Sequence, residues 1–219
     1  MEKSGKQQSI RLIELYASVQ GESTLAGRPC VFVRTAGCNL RCSWCDSTWT
    51  FTGGEHRSFD DIVEELHRIG IPLVELTGGE PLIHKASIPL LQRFVDEGFE
   101  VMLETSGSIS IERVPKEVHI VLDLKAPDSD EEGANLLENL DHLKPSDDVK
   151  LVLASRRDYE WAREMTATHE LGRFNLLFSP VHGSVDPADL ANWIVEDRLP
   201  GRLQLQMHKF IWPPETRGV

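Results

Sequence analysis

The sequence predicts an α/β fold: an incomplete, TIM-like barrel of about six βα units, flanked by N- and C-terminal strands. Short apolar runs rich in β-branched residues alternate with longer stretches of helical period, the pattern of βα units around a parallel sheet. Nearly every run ends in polar or glycine-rich residues, as happens where all the strand ends share one active face. The chain has 219 residues, fewer than the ~250 of a complete eight-unit barrel. With 40% hydrophobic content it can bury one sizeable core, so a single domain spanning 1–219 is expected.

The elements follow in order. "RLIELYASV" (11–19) is the N-terminal flanking strand and "CVFVRTA" (30–36) the first strand of the barrel. "SFDDIVEELHRIG" (58–70) places Ile62, Leu66 and Ile69 at helical spacing, with Ser58 and Asp61 set as a capping box. "PLVELT", "EVMLET" and "HIVLDL" are the next three strands, closed by "TGGEP", "ETSG" and "DLKAP". Segment 126–148, acidic and punctuated by proline, predicts an exposed helix framed by loops. "VKLVLA" and "NLLFSP" are further strands, the latter followed by "VH". "DPADLANWIVED" opens a helix with Asp186 as N-cap and Pro187 at the first helical position. "LQLQM" (203–207) is the closing strand, followed by a polar His-Lys pair. No repeat or low-complexity tract interrupts the series.

Lysine and arginine total 23 against 35 acidic residues, a formal charge of −12, and no basic block breaks that balance. Direct nucleic-acid binding is therefore disfavoured, while a small anionic substrate in a locally basic pocket is not. The N-terminus lacks the pattern of a secretory signal and no apolar run reaches membrane-spanning length. A cytoplasmic protein with no membrane partner is expected. In that reducing compartment clustered cysteines are metal ligands or redox groups before they are disulfides.

Three of the four cysteines stand in "AGCNLRCSWCDSTWTF", where Cys38, Cys42 and Cys45 fit C-x3-C-x2-C directly after a strand. Gly37 and Asn39 suit the tight turns that aim thiolates at one centre. Three thiolates bind three irons of a [4Fe–4S] cubane and leave the fourth open to a substrate or cofactor. The alternatives are a partial zinc knuckle or ordinary buried cysteines. Cys30 is the candidate fourth ligand, although its alternation with Phe32 suits a core residue. A closed four-cysteine cluster would make the protein a ferredoxin-like electron carrier or a metal-binding interaction module.

"CNLRCSWCD" with "TGGEP" downstream resembles the radical S-adenosylmethionine (SAM) superfamily. With "YASVQGESTLAGRPCVFVRTAG", "ETSG", "DLKAP" and "QMHKFIW", the resemblance narrows to the 7-carboxy-7-deazaguanine synthase family over most of the chain. It implies a lyase of queuosine-type biosynthesis that converts 6-carboxy-5,6,7,8-tetrahydropterin to 7-carboxy-7-deazaguanine with loss of ammonia. A reduced [4Fe–4S] cluster on Cys38, Cys42 and Cys45 would cleave SAM to the hydrogen-abstracting radical, with no catalytic side chain beyond cluster and cofactor.

The resemblance also implies a set of contacts. Gln20, Gly21, Glu22, Arg28, Thr77 and His208 would bind the pterin, and Ser47 would ligate Mg²⁺. SAM would meet Trp44, Cys45, Asp46, Gly79, Glu80, Ser106, Asp123, Lys125 and Ser179. Independent chemistry supports several of these. Arg28 offers a planar fork for a carboxylate, and Gln20 with Glu22 offers the mixed donors and acceptors an aminopyrimidinone edge needs. Glu80 can accept hydrogen bonds from an ammonium group, and Lys125 can pair with a carboxylate. A homodimer and a flavodoxin-type reductant are further implications. A glycyl-radical activase shares the three-cysteine signature, but not "VQGE" together with Arg28 and "QMHK".

Overall fold

The computed structural model describes residues 8–219. Part of the N-terminal leader reading falls on residues 1–7, outside the described residues. In chain order the elements are β1 (Ser9–Val19), β2 (Pro29–Thr35), β3 (Glu55–Ser58), α1 (Phe59–Ile69), β4 (Leu73–Gly78), α2 (Ser87–Asp96) and β5 (Glu100–Thr105). After these come β6 (His119–Lys125), β7 (Asp148–Leu153), α3 (Arg156–Thr168), β8 (Asn175–Pro180), α4 (Pro187–Glu196), β9 (Arg202–Leu203) and α5 (His208–Ile211).

One nine-stranded sheet runs in the order β3-β1-β2-β4-β5-β6-β7-β8-β9. From β2 to β9 every neighbouring pair is parallel, whereas β1 runs antiparallel to both β2 and β3. The barrel is open, with β3 and β9 as its edges. All six expected parallel strands are present. The sequence did not announce β3, α2, α3 or α5.

Two expectations are corrected. Segment 126–148 is not an exposed helix but three short 3₁₀ turns, at Pro127–Ser129, Glu132–Ala134 and Leu137–Asp141. Pro127, Gly133 and Pro145 interrupt any longer helix, and side-chain amides take over the backbone pairing. Buried Asn139 donates to the carbonyls of Gly107 and Ile109 and accepts from Ile111 N, each at 3.0 Å. Only Leu203 of "LQLQM" is strand. Beyond it the side chain of Gln204 bonds to Ser23 and the backbone turns towards α5.

The N-caps form as expected, although at Ser58 only the first half of the capping box does. Ser58 Oγ accepts from Asp61 N at 3.1 Å and Gly70 ends α1 at φ 75°, the left-handed conformation that glycine tolerates. Asp186 accepts from Ala188 N at 2.8 Å at the head of α4.

Strand periodicity divides the sheet into two faces. Val31, Val33, Val74, Leu76, Val101, Leu103, Ile120, Leu122, Val149 and Leu151 pack with the helices in the main core. On the other face, Cys30, Phe32, Leu73, Met102 and Val121 form a separate apolar floor inside the barrel. Continuing the same alternation towards the carboxyl ends brings Arg34, Glu75, Thr77, Glu104, Asp123, Lys125 and Lys150 to the inner face. The interior is thus apolar at one end and polar at the other.

Candidate active site

The polar end of the barrel encloses a cavity of about 820 Å³. Its wall begins at the cysteine loop after β2, where Cys38, Cys42 and Cys45 all face the cavity. Gly37 has φ 89°, a left-handed turn that redirects the chain at the strand end. The loop after β4 is pressed against it: a Cβ on Gly79 would stand 2.3 Å from the Gly37 carbonyl oxygen and 2.7 Å from Cys38 Cβ. Burial pushes the Cys38 and Cys42 thiols above their ordinary range, while Lys125 pulls Cys42 down. Iron binding must therefore displace their protons.

Glu80 is buried and its carboxylate is fully engaged. Oε1 accepts from Leu82 N at 2.9 Å and Thr105 Oγ1 at 2.8 Å, and Oε2 from Ser106 N at 2.7 Å and Ser106 Oγ at 2.6 Å. Glu80 thus joins the loops after β4 and β5. Thr77, Gly79 and Ser106 line the cavity, whereas Glu80 and Ser179 stand behind its wall.

On β6 and β7 the alternation places three charged groups together. Lys125 Nζ lies 3.0 Å from Asp123 Oδ2, and Lys150 Nζ lies 3.6 Å from the same oxygen. Lys150, only 3% exposed, also binds Glu22 at 2.8 Å and donates to Glu104. Burial alone would raise the Glu22 carboxyl, but Lys150 and Gln206 hold it down at about 2. Burial lowers His208 against the opposing pull of Glu22, which favours the neutral imidazole at pH 7.

The C-terminal segment is fastened across the loop after β1. Met207 N donates to Gly21 O at 2.9 Å, Gln206 Nε2 to Glu22 Oε1 at 3.0 Å, and Gln204 exchanges two hydrogen bonds with the Ser23 backbone at 2.9 and 2.8 Å. His208 packs on Gly21, where a Cβ would meet its Nδ1 at 2.5 Å. Lys209 pairs with Asp46 at 2.7 Å, so the same segment holds the cysteine loop.

Arg28 is not in the cavity. It lies at the amino end of β2 and makes a two-pronged ion pair with Glu100, at 2.6 and 2.5 Å. The arginine that faces the cavity is Arg34, which sequence reasoning passed over. Arg34 Nε binds Glu14 at 2.8 Å and its NH2 donates to Tyr16 OH at 2.8 Å. Strand alternation after Cys30 and Phe32 was the signal that could have found it. Glu75, Glu104 and Lys150 were missed for the same reason.

Cys30 is fully buried in the apolar floor. It is separated from the cysteine loop by the length of β2, about 17 Å at ~3.3 Å per residue. It cannot close a four-cysteine cluster.

The profile of the radical SAM superfamily matches residues 32–163. The chain is 46% identical to the 7-carboxy-7-deazaguanine synthase of Koribacter versatilis, over 96% of this chain and 100% of that one. It is 42% identical to the synthase of Chlorobaculum tepidum, over 96% and 97% of the respective chains. The chain belongs to the 7-carboxy-7-deazaguanine synthase family. The crystal structure of QueE from Escherichia coli superposes with a TM-score of 0.76 at 24% identity, covering 94% of this chain and 100% of that one. That likeness shows the shared fold.

Membership makes this synthase-family protein a radical SAM enzyme that takes a [4Fe–4S] cluster and SAM, and the residues present fit both groups. Among the described residues no three His, Cys, Asp or Glu side chains gather around a single ion. Thiolates that each take a different iron do not need to. Asp123 Oδ1 and Ser179 Oγ are buried with no hydrogen-bond partner among the described residues, and Asp123 lines the cavity. An unpaired buried acceptor of this kind calls for a donor that a ligand can bring. Trp44, Asp46 and Ser47 complete the cavity's cysteine wall. Ser47 Oγ lies 3.7 Å from Cys45 Sγ.

Proposed function

We propose that this protein converts 6-carboxy-5,6,7,8-tetrahydropterin to 7-carboxy-7-deazaguanine with release of ammonia. One observation carries the reading: a single cavity joins the open three-cysteine loop to Arg34 and to the Gln20, Glu22 and Glu104 set. A carboxylated aminopyrimidinone needs that combination of a planar cation and several acceptors.

Cys38, Cys42 and Cys45 would hold the cluster, and Gly79, Ser106, Asp123 and Lys125 would seat SAM. Once bound, cluster and cofactor supply a hydrogen-abstracting radical at the substrate's C6. The chain's own residues orient the substrate. Arg34 holds the carboxylate, in the role first assigned to Arg28, while Glu22, Thr77 and His208 line the ring site. Ser47 is the proposed protein ligand of Mg²⁺, whose remaining positions substrate carboxylate and water would fill. The C-terminal segment from Gln204 to Lys209 covers the site and keeps water out.

We further assign the whole chain to one radical SAM domain and the protein to the cytoplasm, acting as a homodimer reduced by a flavodoxin-type donor. No helix among the described residues is long and apolar enough to cross a membrane.

The test is anaerobic. The cluster is reconstituted and reduced, SAM, Mg²⁺ and 6-carboxytetrahydropterin are added, and 7-carboxy-7-deazaguanine is sought by mass spectrometry. Product that requires SAM and all three loop cysteines is the expected result. Formation of 5′-deoxyadenosine without that product would leave the radical chemistry standing and reject the substrate.

A further inference from the structure

Glu75 lies on the cavity wall yet is only 1% exposed, and no Lys or Arg forms an ion pair with it among the described residues. Its one side-chain donor among the described residues is the Gln20 amide. The groups that face it are Glu104 on β5, Arg34 and Cys30 on β2, Tyr16 on β1 and Glu22 in the loop after β1. Lys150 on β7 binds Glu104 and Glu22, two of these groups. The two nearby cations are already committed, Arg34 to Glu14 and Lys150 to Glu22 and Glu104. A carboxylate buried beside other carboxylates without a cation of its own is held as the neutral acid. Burial first, and Glu104 next, push the Glu75 carboxyl well above its ordinary range.

A neutral acid adds a donor next to the two carboxylates Glu22 and Glu104. Gln20 and Lys150 spend protons on carboxylates, and Arg34, with Nε on Glu14 and one NH2 proton on Tyr16, keeps its remaining N–H groups for the substrate carboxylate, so a neutral Glu75 is the donor placed beside them for a ring carbonyl. The carboxylates of Glu22 and Glu104 offer acceptors only.

We propose that Glu75 works as a neutral carboxylic acid that donates its O–H to the carbonyl oxygen of the bound bicyclic heterocycle, while ionised Glu22 and Glu104 accept the ring's N–H groups. Binding would direct that proton to the ring. Glu75 is then a specificity-determining residue that selects a lactam edge over one without a carbonyl. This rests on the pterin reading above.

The test uses reconstituted holoenzyme with 6-carboxytetrahydropterin and no SAM. At pH 8, infrared difference spectra should show the C=O stretch of a protonated carboxyl that Glu75→Gln lacks, and the pterin should shift it. Glu75→Ala should weaken pterin binding about 30-fold, and Glu75→Gln, which keeps a neutral donor and acceptor, should recover to within about fivefold. Wild-type affinity should fall at alkaline pH and the Glu75→Gln affinity should not. No carboxyl band, a band that bound pterin leaves unmoved, or Glu75→Gln as weak as Glu75→Ala would each overturn the proposal. A wild type that shows the band but binds no pterin would reject the substrate reading, and the ligand role of Glu75 with it, while its neutrality would stand.

Discussion

At the scale of single residues, the decisive contrast is between two arginines six positions apart on one strand edge. Arg28 spends its fork on Glu100 in an exposed pair, and such surface pairs contribute less than about 1 kcal/mol. Arg34 points into the cavity from a half-buried position. Arg34→Ala is expected to raise the KM for the pterin about 100-fold, the worth of a charge-assisted hydrogen-bond pair. Arg28→Ala should change it less than about threefold; steady-state kinetics on the two variants checks both. Glu75 adds a pH prediction. Its folded-state value lies above the unfolded one, so the native state binds the extra proton in the window between them. Stability therefore falls as pH rises from the ordinary glutamate range through the raised value. Glu75→Gln removes that slope, so its melting temperature relative to wild type should be higher at pH 8 than at pH 5 in thermal scans.

At the scale of elements, the barrel's loops are held by polar side chains rather than by long helices. Glu80 joins the loops after β4 and β5, and Asn139 joins the segment after β6 to the loop after β5. Gln204 ties the C-terminal segment to Ser23, which sits at φ 64°, unusual for a residue other than glycine. Gln204→Ala leaves the buried N–H of Ser23 unpaired and its carbonyl with only the long bond from Ala26 N, at a cost of about 1–3 kcal/mol. Hydrogen exchange should then show faster amide exchange across residues 20–28, with the strands unchanged. These attachments were poorly legible in the sequence. An amide or carboxylate that bonds a partner 25 or more residues away leaves no periodic trace, so 126–148 reads as a helix and the loop-joining bonds of Glu80 go unread. The capping signals of α1 and α4 were legible because Ser58 and Asp186 bond within their own first turn.

At the scale of the whole molecule, the open sheet separates an apolar floor from a polar mouth, and Cys30 tests that separation. Cys30→Ala should cost about 1 kcal/mol for the small cavity it leaves and retain full iron content after reconstitution. Cys38→Ala should lose the cluster; iron and sulfide analysis distinguishes the two outcomes. By itself the sequence determined the parallel α/β architecture, because buried strands must be apolar runs bounded by turns, and it determined the cluster site, because three ligands for one cluster lie within eight residues. Only the tertiary structure decided which distant charges meet. Glu22, Glu75, Glu104, Asp123 and Lys150 come from a loop and four different strands. Their convergence depends on sheet order and on which face each side chain takes, and a one-residue change of register would turn any of the four strand residues out of the barrel.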